Sequence, residues 1–287
     1  MKQTLTIFVV VLLVGGCQSS LLQPKPTIPV DDGSTLRTTS LSGRQGVSKK
    51  IKQFGDINSS NKALVIGNGD YDYSPLQNPV NDAKAMTVSL VNLGFHVTRA
   101  TNLDHQTMQG TVDAFKSRLS NQEVALFYFS GHGAQVGGKN FLLPVNNETI
   151  RGEKALQKNA VSAQNVLAMM KGANNGVNLL VLDACRDNPY EGSKKNLTRG
   201  LAQMESPRGA LIAFAAAPGQ AALDGKGYNG LYTSYLLEAL ENAKHKRIED
   251  VFMEVQSPVV AESGGVQEPW YQASFRKAFC FGGCSSP

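Results

Sequence analysis

Between residues 62 and 260, short apolar runs of strand length alternate with stretches that have the apolar spacing of amphipathic helices. The runs are rich in Val, Leu, Ile and Phe and lie at 63–67, 95–100, 124–127, 177–181 and 210–215. The helical patterns cover 81–93, 107–119, 162–171, 231–243 and 248–260. Strands that alternate with helices pair in parallel, and strands buried on both faces form continuous apolar runs. The sequence therefore predicts one α/β domain with a mostly parallel central sheet.

Two of the apolar runs lead into residues that can carry chemistry. The run at 124–127 continues as Tyr-Phe-Ser-Gly-His-Gly, which places His132 just past a strand end. The run at 177–181 continues as Leu-Asp-Ala-Cys-Arg-Asp, which places Cys185 in the matching position. The carboxyl ends of the strands form the edge of an open α/β sheet at which ligands bind. We therefore predict that Cys185 is a nucleophile and that His132 is its general acid and base.

The backbone around these two residues suits acyl transfer. The glycines on either side of His132 let a substrate backbone approach without meeting a Cβ atom. Backbone N–H groups aimed at a developing oxyanion stabilise the tetrahedral intermediate. We predict that the N–H groups of Gly133 and Cys185 form this oxyanion hole.

The two motifs resemble the histidine and cysteine boxes of the caspase-like cysteine peptidases. The stretch Asp-Ala-Cys-Arg keeps the Ala-Cys-Arg of the caspase signature, but Asp183 replaces its Gln and Asp187 its final Gly. Both departures resemble the metacaspase branch, including the bacterial members called orthocaspases. Further segments with this resemblance are Asn-Asp-Ala at 81–83, Ala-Pro-Gly at 217–219, Asp-Gly at 224–225, Gly-Leu-Tyr-Thr-Ser at 230–234 and Gln-Glu-Pro-Trp at 267–270. The resemblance runs from about residue 62 to 281 and implies a caspase-like three-layer α/β/α sandwich. It also implies a His/Cys dyad, and the sequence shows no third member.

The resemblance also bears on specificity. Caspases bind an acidic residue before the scissile bond with arginines and the signature Gln, whereas this chain has Asp183 at that position. In metacaspases, the residues that match Asp183, Asp82 and Ser130 line this pocket. A carboxylate there attracts Arg or Lys and repels Asp. The sequence therefore predicts an endopeptidase that cleaves peptides after Arg or Lys. Asp82 has an alternative and compatible explanation as a helix cap.

A long polar stretch at 186–208 follows the cysteine and is a candidate for self-processing. Loops of this length without secondary structure are uncommon unless they are functional or disordered. Caspase-family proteins are often cut between a large and a small fragment, and Lys194, Lys195 and Arg199 fit the predicted specificity. A solvated basic loop is the alternative explanation.

Metacaspases frequently need calcium, which takes several oxygen ligands. Asp187 and Glu191 follow the cysteine, but the chain contains no clean acidic cluster. Calcium dependence is therefore left open, no metal ligand is assigned and no other cofactor is predicted. The net charge of +5 is modest and spread along the chain, so nucleic acid is not a predicted partner.

The N-terminus predicts export and lipid attachment. Lys2 precedes an apolar stretch at 5–14, too short to span a bilayer comfortably, and Gly-Gly-Cys follows at 15–17. This resembles a lipobox, which implies acylation of Cys17; a plain signal peptide is the alternative. We predict a signal peptide at 1–16, a lipid-anchored tether at 17–60 and the peptidase domain at 61–287. Gln18 is not the Asp that often retains lipoproteins at the inner membrane. The predicted location is therefore the bacterial cell envelope, at the periplasmic face of the outer membrane.

The remaining cysteines lie close together near the C-terminus, in Cys-Phe-Gly-Gly-Cys at 280–284. A disulfide between Cys280 and Cys284 fits an exported protein, whereas zinc would need a second ligand pair that the chain lacks. The oligomeric state cannot be read from the sequence.

Two other functions compete with the peptidase. The first is a catalytically silent caspase-like module that binds or scaffolds partners at the cell envelope. The second is another thiol hydrolase or transferase on the same sheet. The presence of both His132 and Cys185 favours an enzyme, and the acidic position at 183 favours a peptidase.

Overall fold

The computed structural model describes residues 50–119, 124–173, 176–184, 200–225 and 227–284. The strands in these ranges are β1 (Ile51–Phe54), β2 (Lys62–Gly67), β3 (His96–Thr101), β4 (Val124–Ser130), β5 (Gly133–Val136), β6 (Lys139–Leu142), β7 (Val161–Ser162), β8 (Val177–Asp183), β9 (Ala210–Phe214) and β10 (Trp270–Ser274). The helices are α1 (Pro79–Asn92), α2 (His105–Lys116), α3 (Glu153–Asn159), α4 (Ala163–Ala173), α5 (Leu231–Glu241) and α6 (Ile248–Glu262).

Seven of the strands form the central sheet, in the order β1-β3-β2-β4-β8-β9-β10. The five inner strands are parallel, and the two edge strands β1 and β10 pair antiparallel to their neighbours. The predicted mostly parallel sheet is confirmed. The chain moves outward from β2 to β3 and then returns to place β4 on the other side of β2. This reversal creates a switch point between β2 and β4, where a crevice opens at the carboxyl ends.

The helices lie in two layers. Crossover connections between parallel strands are right-handed, so a reversal of direction in the sheet sends successive helices to opposite faces. Contacts between helices follow this rule, because α5 packs against both α1 and α6, whereas α2 packs against α4. The fold is therefore the predicted α/β/α sandwich.

Burial of the sheet on both faces explains the continuous apolar runs in the sequence. Every residue of β4 is buried, and so are all residues of β8 except the first. Phe127, Tyr128 and Phe129 are successive in the chain and are among the largest fully buried side chains. Each such aromatic ring contributes roughly 2–3 kcal/mol through the apolar area it removes from water.

A three-stranded sheet of β5, β6 and β7 follows directly after the histidine motif. Its first two strands form a hairpin whose turn residues Gly137 and Gly138 have φ angles of +56° and +73°. Such paired left-handed residues match the twist of a two-residue hairpin. The hairpin holds the histidine segment in place, because the Leu143 N–H donates to the His132 carbonyl at 2.9 Å.

The structure corrects two boundaries from the sequence. β1 lies inside the segment assigned to the tether, and it pairs with β3 along its whole length. The second correction concerns the stretch at 186–208, which the sequence indicated to be a polar loop. Its last part belongs to the folded domain, because Leu201 and Met204 are buried in the main core. Residues 186–199, with the proposed cleavage positions, lie outside the described residues.

Cys280 and Cys284, whose state the sequence left open, form a disulfide with their Cα atoms 4.9 Å apart. The bond closes a loop that is attached to the body of the domain, since the His245 N–H donates to the Phe281 carbonyl. Phe281 is buried and packs edge-on against Phe95. In the described part of the chain, no helix has the length and apolar character needed to cross a membrane. The predicted signal peptide, Cys17 and most of the tether lie outside that part.

Candidate active site

The register of the central sheet brings the two predicted motifs to the same place. β4 and β8 are neighbours, and Ser130 pairs with Asp183. His132 is two residues beyond Ser130, and Cys185 is two residues beyond Asp183. Cys185 itself lies outside the described residues, which here end at the buried Ala184.

The histidine motif packs directly against the residue that precedes Cys185. The Gly131 N–H donates to the Asp183 carbonyl at 3.2 Å. A Cβ atom at Gly133 would lie only 3.0 Å from the Ala184 carbonyl oxygen, so a larger residue would push the two segments apart. The described residues thus bring His132 and the start of the cysteine segment to one edge of the sheet.

The His132 imidazole is buried and held from two sides. Its backbone N–H donates to the Tyr71 hydroxyl at 2.7 Å, and the two rings lie 4.4 Å apart between centroids. Its Nε2 lies 2.6 Å from the carbonyl oxygen of Ser74. Because a carbonyl oxygen can only accept, Nε2 carries the proton. In the neutral ring Nδ1 is then the basic nitrogen.

The segment that provides this carbonyl is held by a buried asparagine. Asn147 accepts a hydrogen bond from the Tyr73 N–H at 2.9 Å and donates to the Tyr73 carbonyl at 3.0 Å. The next residue, Ser74, has a left-handed φ of +61°, which is uncommon for a residue other than glycine. The two bonds to Tyr73 therefore support the conformation that aims the Ser74 carbonyl at His132.

Sequence reasoning missed Tyr71, Ser74 and Asn147. Ser74 acts through its backbone oxygen, which leaves no signature in a side-chain pattern. Tyr71 lies in the 68–79 loop, whose many polar and aromatic residues were its only signal, whereas Asn147 lies in a different loop without periodicity.

Asp82 and Asp183 lie beside the histidine motif as a buried pair of carboxyl groups. Asp82 is in the first turn of α1, and Ser130 donates to its Oδ2 at 2.8 Å. The other oxygen, Oδ1, accepts from the Asn229 side chain at 3.0 Å and from the Gly230 N–H at 2.9 Å. These partners come from β4 and the turn before α5. Asn78 occupies the N-cap position of α1, so the alternative explanation of Asp82 as a helix cap is wrong.

A chain of hydroxyl groups supports the second carboxyl group. Thr233 donates to Asp183 Oδ2 at 2.6 Å. The Tyr128 hydroxyl lies 2.6 Å from Thr233 Oγ1. Since the single Thr233 hydroxyl proton goes to the carboxylate, Tyr128 donates to Thr233. Asp183 is thus oriented by a buried relay from β4 and α5.

Burial, and then the neighbouring Asp183 carboxylate, raises the pKa of Asp82 from 3.8 to about 7. Its three hydrogen bonds act in the opposite direction but are outweighed. Burial and both carboxylates raise the pKa of Tyr128 well above its ordinary value, and burial with Asp183 does the same for Tyr232. This part of the site therefore disfavours a second negative charge and favours a bound cation.

Several predicted site residues lie outside the described residues, namely Cys17, Cys185, Lys194, Lys195 and Arg199. The same holds for Asp187 and Glu191, the two acidic residues considered for calcium. Within the described ranges, no group of three or more His, Cys, Asp or Glu residues has an arrangement that could hold a metal ion.

An α/β/α sandwich with a buried histidine at one strand end and a cysteine segment at the next defines a caspase-like class of protein. The chain belongs to the caspase domain family, whose sequence profile matches residues 60–280. This membership supports a cysteine peptidase type of function.

Two curated relatives share part of this domain. Over 132 residues the chain is 34% identical to mucosa-associated lymphoid tissue lymphoma translocation protein 1 of Homo sapiens. Over the same length it is 33% identical to the homologous protein of Mus musculus. The similarity covers 45% of this chain but only 15% of each relative.

Proposed function

We propose that this protein is a cysteine endopeptidase that cleaves after Arg or Lys. Cys185 is the nucleophile, and His132 is the general acid and base. The observation that best supports the specificity is the buried Asp82–Asp183 pair, which lies at the same strand ends as His132 and next to Ser130.

The proposed reaction is an acyl transfer in two stages. His132 Nδ1 takes the proton of the Cys185 thiol as the sulfur attacks the scissile carbonyl carbon. The tetrahedral oxyanion accepts hydrogen bonds from the N–H groups of Gly133 and Cys185. His132 then gives the proton to the leaving amine, and a thioester remains on Cys185. Water, deprotonated by His132, hydrolyses the thioester and restores the thiol. Whenever the imidazole is neutral, the Ser74 carbonyl keeps its proton on Nε2, so Nδ1 remains the nitrogen that takes up and releases protons.

The Asp82–Asp183 pair explains the proposed preference for a basic residue before the cut. A guanidinium or ammonium group forms short charge-assisted hydrogen bonds to carboxylates, of about 2.7–2.9 Å. It also offsets the repulsion between the two buried carboxylates, which the neutral hydrogen-bond donors around Asp82 do not outweigh. An acidic side chain would add a third negative charge and is rejected.

Three further expectations form part of this proposal. Lys194, Lys195 and Arg199 fit the specificity and are the positions at which the chain would cut itself. Acylation of Cys17 would anchor the protein in the outer membrane of a bacterial cell envelope, facing the periplasm. Peptides or proteins with Arg or Lys before the cut are the proposed substrates.

Turnover of fluorogenic peptides tests the proposal. The soluble domain is expected to cleave peptides with Arg or Lys before the reporter at least a hundred times faster than matched Glu peptides. The assay is run with and without calcium, which also answers the question of the metal. Cys185→Ala is the inactive control. Comparison of the intact masses of the wild type and of this variant shows whether wild-type chains are cut at 194–199. Specific binding of these peptides without turnover would instead support the silent binding module.

Replacement of Asn147 tests whether the Ser74 carbonyl matters to catalysis. Asn147→Ala removes both bonds to Tyr73, so the carbonyl loses its fixed position beside His132. We expect kcat to fall about tenfold to a hundredfold with little change in KM, because the imidazole is misplaced and the acidic pair is untouched. The pH profile of kcat should also shift.

The matched variant is Asn147→Asp, which keeps the acceptor for the Tyr73 N–H and should restore part of kcat. A rise in KM alone, with kcat and its pH profile unchanged, would contradict a role in positioning His132.

A further inference from the structure

Gly230 is the first residue of the Gly-Leu-Tyr-Thr-Ser segment, which resembles bacterial caspase-family proteins. It is also the N-cap residue of α5. It is buried, and its φ and ψ angles are −58° and 152°, a backbone conformation that any residue adopts. The turn therefore does not require a glycine at this position.

The space around Gly230 gives the reason for a glycine. A Cβ atom placed there would lie 3.3 Å from Asp82 Oδ2 and 3.3 Å from Asp183 Oδ2. The two carboxyl groups thus converge on the point that a side chain of residue 230 would occupy. A side chain there would therefore press against both carboxylate oxygens.

We propose that Gly230 is a specificity-determining residue, because its missing side chain leaves the space that receives a nitrogen of the substrate's guanidinium or ammonium group. This inference rests on the proposed function and identifies the atoms that contact the basic residue before the cut. The Gly230 N–H also donates to Asp82 Oδ1 at 2.9 Å, so the same residue orients one carboxyl group and leaves room beside it.

Gly230→Ala tests this directly, because the methyl group fills the space and both backbone contacts remain. The N–H can still donate to Asp82, and the carbonyl can still accept from the Ser234 N–H. We expect kcat/KM for an Arg peptide to fall at least a hundredfold. Alkylation of Cys185 by iodoacetamide, which has no basic group, should change by less than threefold.

Gly227→Ala is the matched control. Gly227 lies three residues earlier in the same turn, is exposed and has no atom within 4 Å of an added Cβ. The Gly227→Ala protein should cleave the Arg peptide as fast as the wild type does. Circular dichroism of each variant reports whether it is folded.

A second measurement uses the wild-type protein and does not depend on the folding of a variant. Peptides with Arg are compared with peptides that carry asymmetrically dimethylated Arg at the same position. The two methyl groups keep the charge but occupy the space between the carboxylates, so cleavage should fall at least a hundredfold.

The outcomes separate this inference from the proposed function. Rapid cleavage of Arg peptides by Gly230→Ala, or of dimethylated peptides by the wild type, would overturn the role of Gly230 and leave the peptidase in place. Failure of the wild type to cleave any basic peptide would overturn both.

Discussion

Asp82→Asn is expected to lower kcat/KM for Arg peptides by about a thousandfold while it stabilises the folded protein at pH 8. Loss of one member of a buried, hydrogen-bonded charge pair costs about 2–5 kcal/mol of binding, and about 4 kcal/mol is a thousandfold. The amide has the shape of the carboxyl group and can keep the bonds from Asn229 and Gly230 through its oxygen. The loss of activity would therefore come from the missing charge.

The gain in stability follows from the raised pKa of Asp82. Its pKa is about 7 in the folded chain, against an ordinary value of 3.8. Between these values the folded state holds more protons than the unfolded state, so stability falls as the pH rises from about 4 through 7. Above pH 7 the stability that the protonated Asp82 contributes at low pH is fully lost. Asp82→Asn removes this titration, and we expect a gain of about 1–3 kcal/mol at pH 8 and almost none at pH 4.

Urea unfolding at several pH values, together with peptide turnover, measures both effects. Asp113→Asn is the matched control, because Asp113 is an exposed residue of α2, which packs against α4 and not against α1 or α5. It should leave the turnover of Arg peptides unchanged. An Asp82→Asn protein that cleaves Arg peptides normally would show that this carboxyl group does not bind the basic side chain of the substrate.

Gly131→Ala is expected to abolish turnover and to lower the free energy of unfolding by about 3 kcal/mol or more. Gly131 has a φ of +154°, which is strained for a residue with a side chain. An added Cβ would overlap the Tyr71 hydroxyl, at a separation of 2.4 Å, and would lie 3.1 Å from the Asn68 carbonyl. Backbone strain and overpacking each cost about 1–3 kcal/mol.

The effect on catalysis has a separate cause. Tyr71 accepts the His132 N–H and packs against its ring, so a displaced tyrosine moves the imidazole. Thermal unfolding and peptide turnover of the purified variant measure the two losses. Gly110→Ala offers a control of opposite sign, since Gly110 is inside α2 with no atom within 4 Å of an added Cβ. That change should stabilise the protein by up to about 1 kcal/mol with normal turnover. Normal stability of Gly131→Ala would contradict the packing described here.

The elements that the sequence predicted correctly are those whose pattern depends on their own burial. β4 and β8 are covered on both faces, so only apolar residues suit them, and their runs could be recognised without a structure. β1 was missed because it is an edge strand with the polar sequence Ile-Lys-Gln-Phe. The antiparallel direction of β10 was also not predicted, since direction depends on the neighbouring strand.

By itself the amino-acid sequence determined the alternation of strands and helices and the positions of His132 and Cys185 just past two strand ends. These features depend on residues a few positions apart, where local conformation and burial act. Only the tertiary structure decided that Ser130 pairs with Asp183, that Asp82 meets Gly230, and that the Ser74 carbonyl reaches His132. The partners in these contacts lie between 53 and 148 residues apart in the chain. Such contacts form because packed layers bring loops from different strands to one edge, and no local pattern encodes that meeting.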